Sequence, residues 1–290
     1  MIEPEWIAAD WGTTNLRLWA MRGAEVLDRR QSDRGMGALT PDEFAPALAA
    51  ATEGWGDATV IACGMVGARQ GWIEAPYAPV PVAATPAMVR VPGHRVWIAC
   101  GVSQAEPADV MRGEETQIAG LLAARPDFDG VACLPGTHTK WVRVSAGEIC
   151  HFQTVMTGEV FALLSQQSVL RHSIGDPDDD AGFDAALSDA LAQPHRAFGG
   201  LFRLRAESLL TDLAPGSAGA RLSGALLGLE LAAAKPYWLG QEVVIVGTSR
   251  LAALYARALR AQGVPVTEAD AEAVTLAGLH RLWTNTGGKP

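Results

Sequence analysis

Apolar and polar residues form two kinds of pattern along this chain, and segments of the two kinds alternate. Short apolar runs such as residues 6–10 and 58–63 have the length and composition of buried strands, whereas residues 114–124 place their apolar side chains on one face of a helix. Strands of four to eight residues that alternate with helical segments are typical of α/β proteins. The pattern therefore predicts an α/β fold.

The same pattern predicts most of the remaining elements. Further strands are expected at 16–21, 95–100, 131–134, 140–144 and 242–246, and helices at 41–53, 158–170, 198–213, 220–234, 250–262 and 270–283. Residues 64–93 are rich in Pro and Gly, and so long an irregular segment in a compact domain is usually functional. The acidic run Asp178-Asp179-Asp180 lacks the other residues of a calcium loop and is predicted to be a solvated loop.

Two stretches of the sequence share one design. Residues 12–19 and 136–144 each follow a predicted strand, begin with a Gly-Thr-x-Thr/Asn turn, and continue as a strand with alternating apolar and basic side chains. An internal duplication is the simplest explanation. With 290 residues the chain is long enough for two domains, which we expect at 1–125 and 126–290.

Composition narrows the classes of ligand and compartment. A formal net charge of −9 argues against a nucleic-acid or anionic-membrane surface, because such surfaces need clustered Lys and Arg. The N-terminus lacks the features of a signal peptide, and no apolar stretch reaches the length of a membrane span. The four cysteines form no C-x-x-C pair, so we expect reduced thiols in a cytoplasmic protein.

The repeated Gly-Thr turns suggest phosphate binding. Glycine lets the backbone N–H groups approach an anion closely, and threonine adds a hydroxyl donor. One such turn alone usually just closes a hairpin, but here the turn is repeated, an acid precedes the first copy, and a third Gly-Thr turn follows residues 243–246. The predicted ATP ligands are Gly12, Thr13, Thr14, Gly136, Thr137, Thr139, Gly247 and Thr248, with Asp10 orienting Mg²⁺ and also binding the nucleotide.

The three turns, in this order, resemble the phosphate-1, phosphate-2 and adenosine motifs of the actin, Hsp70 and sugar-kinase superfamily. That resemblance implies two ribonuclease-H-like domains flanking a nucleotide and substrate cleft, with ATP and Mg²⁺ as cofactors. The first domain would provide the substrate and phosphate-1 side, and the second the phosphate-2 and adenosine side.

Longer motifs resemble one family within this superfamily, the 2-dehydro-3-deoxygalactonokinases. They cover nearly the whole chain: residues 7–17, Gly64-Met-Val-Gly-Ala-Arg-Gln-Gly-Trp72, 76–77, 109–117, 134–140, 154–159, 222–228 and 246–248. The resemblance implies ATP-dependent phosphorylation of 2-dehydro-3-deoxy-D-galactonate to its 6-phosphate in galactonate and galactose breakdown.

An anionic substrate needs a counter-charge. Arg69 and Arg112 are the candidates, because both lie in Gly-containing segments where a guanidinium could meet a carboxylate; the alternative for each is a solvated surface charge. Lys140 and His138 could contact phosphate or substrate, although Lys140 could equally be a solvated strand residue. Glu159 either caps a helix or contacts the substrate.

Transfer to a hydroxyl also needs a catalytic base. Sugar kinases of the superfamily usually place an Asp at the start of the helix that ends the first domain, and Glu114 stands at that point here. Here the residue is Glu where most relatives have Asp, and Asp109 lies five positions upstream. We therefore rank the candidates for the base in the order Glu114, Asp109, Glu115. Glu114 and Glu115 also suit the first turn of a helix, where the dipole favours acids.

Other functions share the expected fold. They are a kinase for another sugar or sugar acid, a non-catalytic sugar sensor, and a polyphosphate-type hydrolase. A sensor that represses genes needs a DNA-binding helix-turn-helix, whereas the first strand here begins near residue 6 with no basic domain before it. The sequence does not distinguish the galacto from the gluco epimer of the substrate, and it leaves the oligomeric state open, with a homo-oligomer as one option.

Overall fold

The structure is a computed structural model that describes residues 2–247 and 250–287. Its strands, in chain order, are β1 (Trp6–Trp11), β2 (Leu16–Arg22), β3 (Glu25–Ser32), β4 (Thr59–Gly64), β5 (Tyr77–Pro79), β6 (Val82–Ala83), β7 (Met88–Arg90), β8 (Val96–Ala99), β9 (Gly101–Gln104), β10 (Asp109–Met111), β11 (Gly130–Leu134), β12 (Thr139–Ser145), β13 (Glu148–Val155), β14 (Val243–Val246) and β15 (Val266–Ala269). Its helices are α1 (Phe44–Ala51), α2 (Glu114–Ala124), α3 (Thr157–Gln166), α4 (Asp180–Ala192), α5 (Pro194–Leu210), α6 (Pro215–Ala233), α7 (Lys235–Trp238), α8 (Arg250–Ala261) and α9 (Ala271–Asn285). The predicted α/β class is confirmed.

The loop predicted at Asp178-Asp179-Asp180 is present at Asp178 and Asp179, whereas Asp180 is the first residue of α4, a helix that the pattern did not predict. The side chain of Asp179 accepts the N–H of Gly182 at 2.9 Å and so caps the helix. An aspartate at this position satisfies one of the otherwise unpaired N–H groups of the first turn. The buried residues Phe183 and Leu187, four positions apart, then fix the inward face of α4.

The first sheet has the strand order β3-β2-β1-β4-β8-β7. Strand β1 is antiparallel to β2 and parallel to β4, so the chain turns back once and then crosses over. This register places Asp10, near the carboxyl end of β1, beside Arg17 on one neighbour and Cys63 on the other. The polar end of β1 therefore lies between two strands.

The two faces of this sheet are covered by different helices. Ile7 and Ala9 belong to the core that includes Phe44 of α1, whereas Trp6 and Ala8 belong to the core that includes Leu279 of α9. Alternate residues of a strand point to opposite faces, so β1 contributes to both cores. Each fully buried large apolar side chain stabilises the fold by roughly 1.5–3 kcal/mol.

The second sheet is built around β11. Its strands follow the order β15-β14-β11-β12-β13, and β11 is parallel to β14. The first sheet has the equivalent order β8-β4-β1-β2-β3. Both sheets thus repeat one arrangement of three consecutive strands followed by two crossover strands, as an internal duplication requires.

The described residues form two compact units. The first contains residues 2–129, 143–152 and 269–287, and the second contains 130–142, 153–247 and 250–268. In the first unit, Glu148 and Ile149 pair with Ala83 and Val82 of β6. The predicted domains 1–125 and 126–290 stay a prediction, and the structure adds α9 to the first unit. Among the described helices, none combines the length and apolarity needed to cross a bilayer.

Candidate active site

The first predicted phosphate turn joins β1 to β2. The N–H of Gly12 donates to the carbonyl of Asn15 at 2.9 Å and closes the bend. The side chains of Thr13 and Thr14 are exposed, and their backbone N–H groups have no hydrogen-bond partner among the described residues. A turn of this kind presents several neutral donors to an anion.

The segment after β3 holds this turn in place. Met36 donates its N–H to the carbonyl of Gly12, and Gly37 donates to the carbonyl of Thr13, each at 2.9 Å. Gly35 approaches so closely that an added Cβ would lie 2.3 Å from the carbonyl carbon of Thr14. Only glycine fits there, so Gly35 is part of the turn although it lies far from it in sequence.

A cavity of about 320 Å³ opens beside the turn, and it is lined by Asp10, Gly12, Thr14, Asn15, Arg17 and Gln31. Burial raises the pKa of Asp10, while the ion-paired guanidinium of Arg17 acts in the opposite direction. The lining combines hydroxyl, amide and guanidinium donors with one carboxylate. This set fits a phosphate together with a divalent cation that takes its other ligands from phosphate and water.

The second predicted phosphate turn, between β11 and β12, is held in a similar way. The N–H of Glu159 donates to the carbonyl of Thr137 at 3.0 Å. A Cβ on Gly158 would lie 2.4 Å from the carbonyl oxygen of Gly136. Each Gly-Thr turn is therefore fixed by backbone N–H groups and one close glycine from the segment that follows its three-stranded meander, with two N–H donors at the first turn and one at the second.

The predicted contact residue Glu159 lies in the first turn of α3. Its carboxylate is 2.6 Å from Nε2 of His138, which belongs to the second turn. Both side chains are partly exposed, at 38% for Glu159 and 48% for His138. The structure thus brings together two of the predicted residues and leaves both accessible.

Thr139 and Lys140, the next predicted residues, are buried. The hydroxyl of Thr139 is 2.8 Å from that of Tyr255, which donates to Glu230 at 2.7 Å. Burial raises the pKa of Glu230, so this is a closed polar network inside the second unit. The Thr139 hydroxyl is committed to that network, and its predicted phosphate contact stays a prediction.

Lys140 is only 6% exposed, and its Nζ donates to the hydroxyl of Thr154 at 2.7 Å. The alternative of a solvated strand residue is therefore wrong. At the third predicted turn, Gly247 has a φ of +152° that favours glycine. Its predicted partner Thr248 lies outside the described residues.

Glu114, the first predicted catalytic residue, lies where the carboxyl ends of β1 and β4 meet the start of α2. Gly64, paired with Trp11, has a φ of +90°, and a Cβ there would lie 2.8 Å from the carbonyl oxygen of Trp11 and 3.5 Å from Asp10. A Cβ on Gly113, just before α2, would lie 3.4 Å from the Cα of Gly64. The carboxyl ends of parallel strands are the usual location of ligand sites in α/β proteins.

The two glutamates that open α2 differ in environment. Glu114 is partly exposed, and its carboxylate accepts the N–H of Arg112 at 3.1 Å. Glu115 is fully buried and accepts the N–H of Gly113 at 2.7 Å. Burial, followed by the nearby charge of Glu114, raises the pKa of Glu115 to about 8. Glu115 therefore holds a proton at neutral pH.

Asp109, the second predicted catalytic residue, is placed differently. It begins β10, and α2 follows the other end of that strand. Its carboxylate accepts the N–H of Val110 at 2.7 Å. Of the two candidates ranked first as the base, Glu114 lies on α2 beside the ends of β1 and β4, and Asp109 does not.

Arg112 is buried, so the alternative of a solvated surface charge is wrong for this residue. Its guanidinium lies 4.2 Å from the centre of the Tyr77 ring and donates to the carbonyl of Ala75 at 2.7 Å. Its Nη1 has no hydrogen-bond partner among the described residues. A Cβ on Gly67 would lie 2.9 Å from Nη1, so this glycine of the Gly-Met-Val-Gly motif makes room for the cation.

Arg69 is placed differently from Arg112. Its side chain is 80% exposed and lies 3.3 Å from the carboxylate of Glu74. The structure does not bring it into contact with Arg112 or with Glu114 through any described hydrogen bond or ion pair. Substrate binding by Arg69 stays a prediction.

Comparison with known proteins identifies the family. The sequence profile described as 2-keto-3-deoxy-galactonokinase matches residues 10–282. The chain belongs to this family. It is 38% identical, over 94% of both chains, to DgoK1 of Rhizobium meliloti (strain 1021), described as a probable 2-dehydro-3-deoxygalactonokinase. It is also 36% identical to the 2-dehydro-3-deoxygalactonokinase of Escherichia coli (strain K12), over 96% of this chain and 97% of that protein.

Solved structures agree with this assignment. A Sinorhizobium meliloti protein, provisionally described as a 2-dehydro-3-deoxygalactonokinase, superposes with a TM-score of 0.91 at 36% identity over 97% of this chain and 99% of its own. The Clostridium difficile activator of 2-hydroxyisocaproyl-CoA dehydratase, solved with bound ADPNP, gives a TM-score of 0.51 at 12% identity over 97% and 95%. The more distant match shows the fold alone, which is the predicted actin-like ATPase fold.

Two residues that support the candidate site, Tyr77 and Gly35, were not among the predicted site residues. Tyr77 stacks on Arg112, and its ring packs where a Cβ on Gly101 would lie 2.6 Å away. Gly35 supports the first turn from a position with no recognisable motif. Tyr77 belongs to the Pro76-Tyr77 pair that resembles the family, so the sequence offered a signal for Tyr77 and none for Gly35.

Proposed function

We propose that this protein transfers the γ-phosphoryl group of ATP to the 6-hydroxyl of 2-dehydro-3-deoxy-D-galactonate, giving 2-dehydro-3-deoxy-6-phospho-D-galactonate. Family membership and the descriptions of the relatives support the substrate. The observation that carries the proposal is the grouping of a donor-rich turn, Asp10 and a partly exposed Glu114 at the carboxyl ends of β1 and β4. Cytoplasmic location belongs to the same proposal.

Each Gly-Thr turn is proposed to bind phosphate oxygens of ATP. The N–H groups of Thr13 and Thr14 would donate to them directly, since these donors have no partner among the described residues. Gly136 and Thr137 would do the same from the second turn, and Gly247 would contact the adenosine end. Charge-assisted bonds of this kind contribute roughly 1.5–3 kcal/mol each.

Mg²⁺ is the cation that the site would take. The described residues contain no group of three or more His, Cys, Asp or Glu placed to hold a metal ion. Asp10 would therefore contribute the carboxylate, with phosphate and water oxygens as the other ligands, a set that Mg²⁺ prefers. When bound, the ion supplies charge neutralisation at the phosphates.

Glu114 is the proposed catalytic base. As the 6-oxygen of the sugar acid forms its bond to the γ-phosphorus, the bond from that phosphorus to the oxygen of ADP breaks, and the hydroxyl proton passes to the Glu114 carboxylate. Glu115 is unsuitable for this role because its raised pKa of about 8 leaves it protonated at neutral pH. A catalytic base must be deprotonated before the reaction in order to accept the hydroxyl proton.

Arg112 is the proposed ligand for the substrate carboxylate. A buried cation with an unpaired donor is costly, and an anionic substrate would supply the missing partner. Its stacking on Tyr77 and its bond to Ala75 fix the direction of the guanidinium before the substrate arrives. Arg69, Lys140 and Glu159 remain proposed secondary contacts.

A coupled ADP-release assay tests the proposal. The purified chain is incubated with ATP, Mg²⁺ and one acceptor from a panel: 2-dehydro-3-deoxy-D-galactonate, its gluconate epimer, D-glucose, D-galactose, or none. We expect turnover with the galactonate compound to exceed the no-acceptor rate at least 100-fold. Turnover with a hexose but not with either sugar acid would contradict the substrate, and ADP release that is independent of acceptor would indicate a hydrolase.

A further inference from the structure

Helix α5 has apolar side chains on two opposite faces. Leu204 points inward and belongs to a core cluster with Leu170, Leu222 and Leu226. On the other side, Phe198 is 79% exposed, Phe202 63%, and both Leu209 and Leu210 more than 60%. An apolar helix face is normally packed against another surface.

The exposed side of α5 forms a continuous uncharged arc. With about 100° between successive residues, an arc of about 120° contains only the following residues, which we call the α5 outer face: His195, Phe198, Gly199, Phe202, Ala206, Leu209 and Leu210. The charged residues of the helix lie outside it: Arg196, Arg203, Arg205 and Glu207. Helix faces that contact water usually carry charged side chains. The uncharged α5 outer face is therefore suited to packing against another protein surface.

We propose that a second copy of this chain covers the α5 outer face, with the two helices packed antiparallel across a two-fold axis. The side chains of Phe198, Phe202, Leu209 and Leu210 together expose on the order of 500 Å² of apolar area. This area is at the upper end of the range for the largest apolar patch on a monomeric protein. Two copies would bury about 1,000 Å² from these residues alone, close to the 1,200–2,000 Å² of a stable interface. Residues flanking the face would supply the remainder.

The spacing along the face suits this pairing. Phe198 lies near one end of the face and Leu209 near the other, with Phe202 near the middle. Antiparallel helices centred between residues 203 and 204 place Phe198 of each copy opposite Leu209 of the other. Such an isologous contact closes after two copies, and the small residues Gly199 and Ala206 allow the helices to approach closely.

Light scattering coupled to size-exclusion chromatography tests the proposal on the full chain at 1–50 µM. The mass of one chain is 30.5 kDa, so the wild type is expected to run at twice this value. Phe202→Glu is expected to raise the dimer dissociation constant at least 100-fold, because it places a charge in the centre of the contact. Leu239→Glu, at a side chain that is 59% exposed beyond α7, is the matched control and should remain dimeric.

Cross-linking tests the geometry independently of folding defects. Phe202→Cys and Leu239→Cys variants, each with Cys150→Ser, are treated with a short bis-maleimide. Covalent dimers are expected for position 202 and absent for position 239. A wild type that is monomeric throughout the concentration range, or equal cross-linking at both positions, overturns the proposal.

Discussion

Glu114 and Glu115 are consecutive at the start of α2, yet their carboxyl groups have opposite surroundings. Glu114 is partly exposed and accepts the N–H of Arg112, whereas Glu115 is fully buried and accepts the N–H of Gly113. Burial raises the pKa of Glu115 to about 8. One carboxyl is thus suited to accept a proton at neutral pH, and the other to keep one.

Replacing Glu114 tests the assignment of the base. Glu114→Gln keeps the shape of the side chain but cannot accept a proton, so kcat should fall by about 10²–10⁴. The KM for ATP should stay within about threefold. Asp109→Asn is the control and should retain at least half of the wild-type kcat. If Asp109→Asn loses activity while Glu114→Gln keeps it, Asp109 is the base.

Glu115 is predicted to make stability depend on pH. Its folded pKa of about 8 lies above the ordinary value of 4.5, so its stabilising contribution is complete below pH 4.5 and is lost as the pH rises through 8. Glu115→Gln removes this titration. Urea unfolding should show the stability of the wild type, relative to the variant, falling on the order of 4 kcal/mol from pH 4.5 to 9.

The difference between the two proteins is the quantity to follow, because the other titrating groups are common to both. A difference that stays constant from pH 4.5 to 9 would contradict the burial of a protonated Glu115.

Arg112 is predicted to set the affinity for the sugar acid. Arg112→Met keeps much of the volume but removes the charge, and the KM for the acceptor should rise at least tenfold while the KM for ATP changes little. Arg69→Met is the matched control, since the Arg69 side chain is 80% exposed, and its KM should change less than threefold. The reverse pattern would assign the carboxylate to Arg69.

Gly158 is predicted to be required for the second phosphate turn. In Gly158→Ala the new Cβ would lie 2.4 Å from the carbonyl oxygen of Gly136, so the turn must shift. We expect the KM for ATP to rise about tenfold and the free energy of unfolding to fall by about 1–3 kcal/mol. Gly200→Ala is the control: Gly200 is also helical, has open space where its Cβ would lie, and should be neutral or stabilising. Equal effects of the two variants would contradict the close contact.

The sequence predicted the turns and helices that are determined by residues close together in the chain. The turn at Gly12, the helix that begins at Glu114 and the repeated second turn follow from glycine, capping and periodicity, and the structure has them. Helix α4 is absent from the predicted helices, although the acidic run before it is a loop at Asp178 and Asp179 as predicted. An N-cap Asp179 followed by Phe183 and Leu187 at helical spacing was the available signal.

The burial and the contact partners of individual side chains could not be predicted in the same way. Whether Arg112 is solvated or buried depends on Gly67 and Tyr77, which are distant in sequence and meet it only after folding. The same holds for Glu115, whose local pattern is that of any first-turn acid and whose pKa depends on complete burial. The inward direction of Thr139 depends on Tyr255, more than a hundred residues away.

Phosphorus NMR of the reaction mixture tests the central claim most directly. The chain is incubated with ATP, Mg²⁺ and 2-dehydro-3-deoxy-D-galactonate, and proton-coupled ³¹P spectra are followed over time beside a sample that lacks the acceptor. We predict that the γ-phosphate signal is replaced by a phosphomonoester coupled to two methylene protons, as a 6-phosphate requires. Inorganic phosphate as the only new signal besides those of ADP, or no loss of ATP beyond that in the control, would contradict the proposed kinase activity.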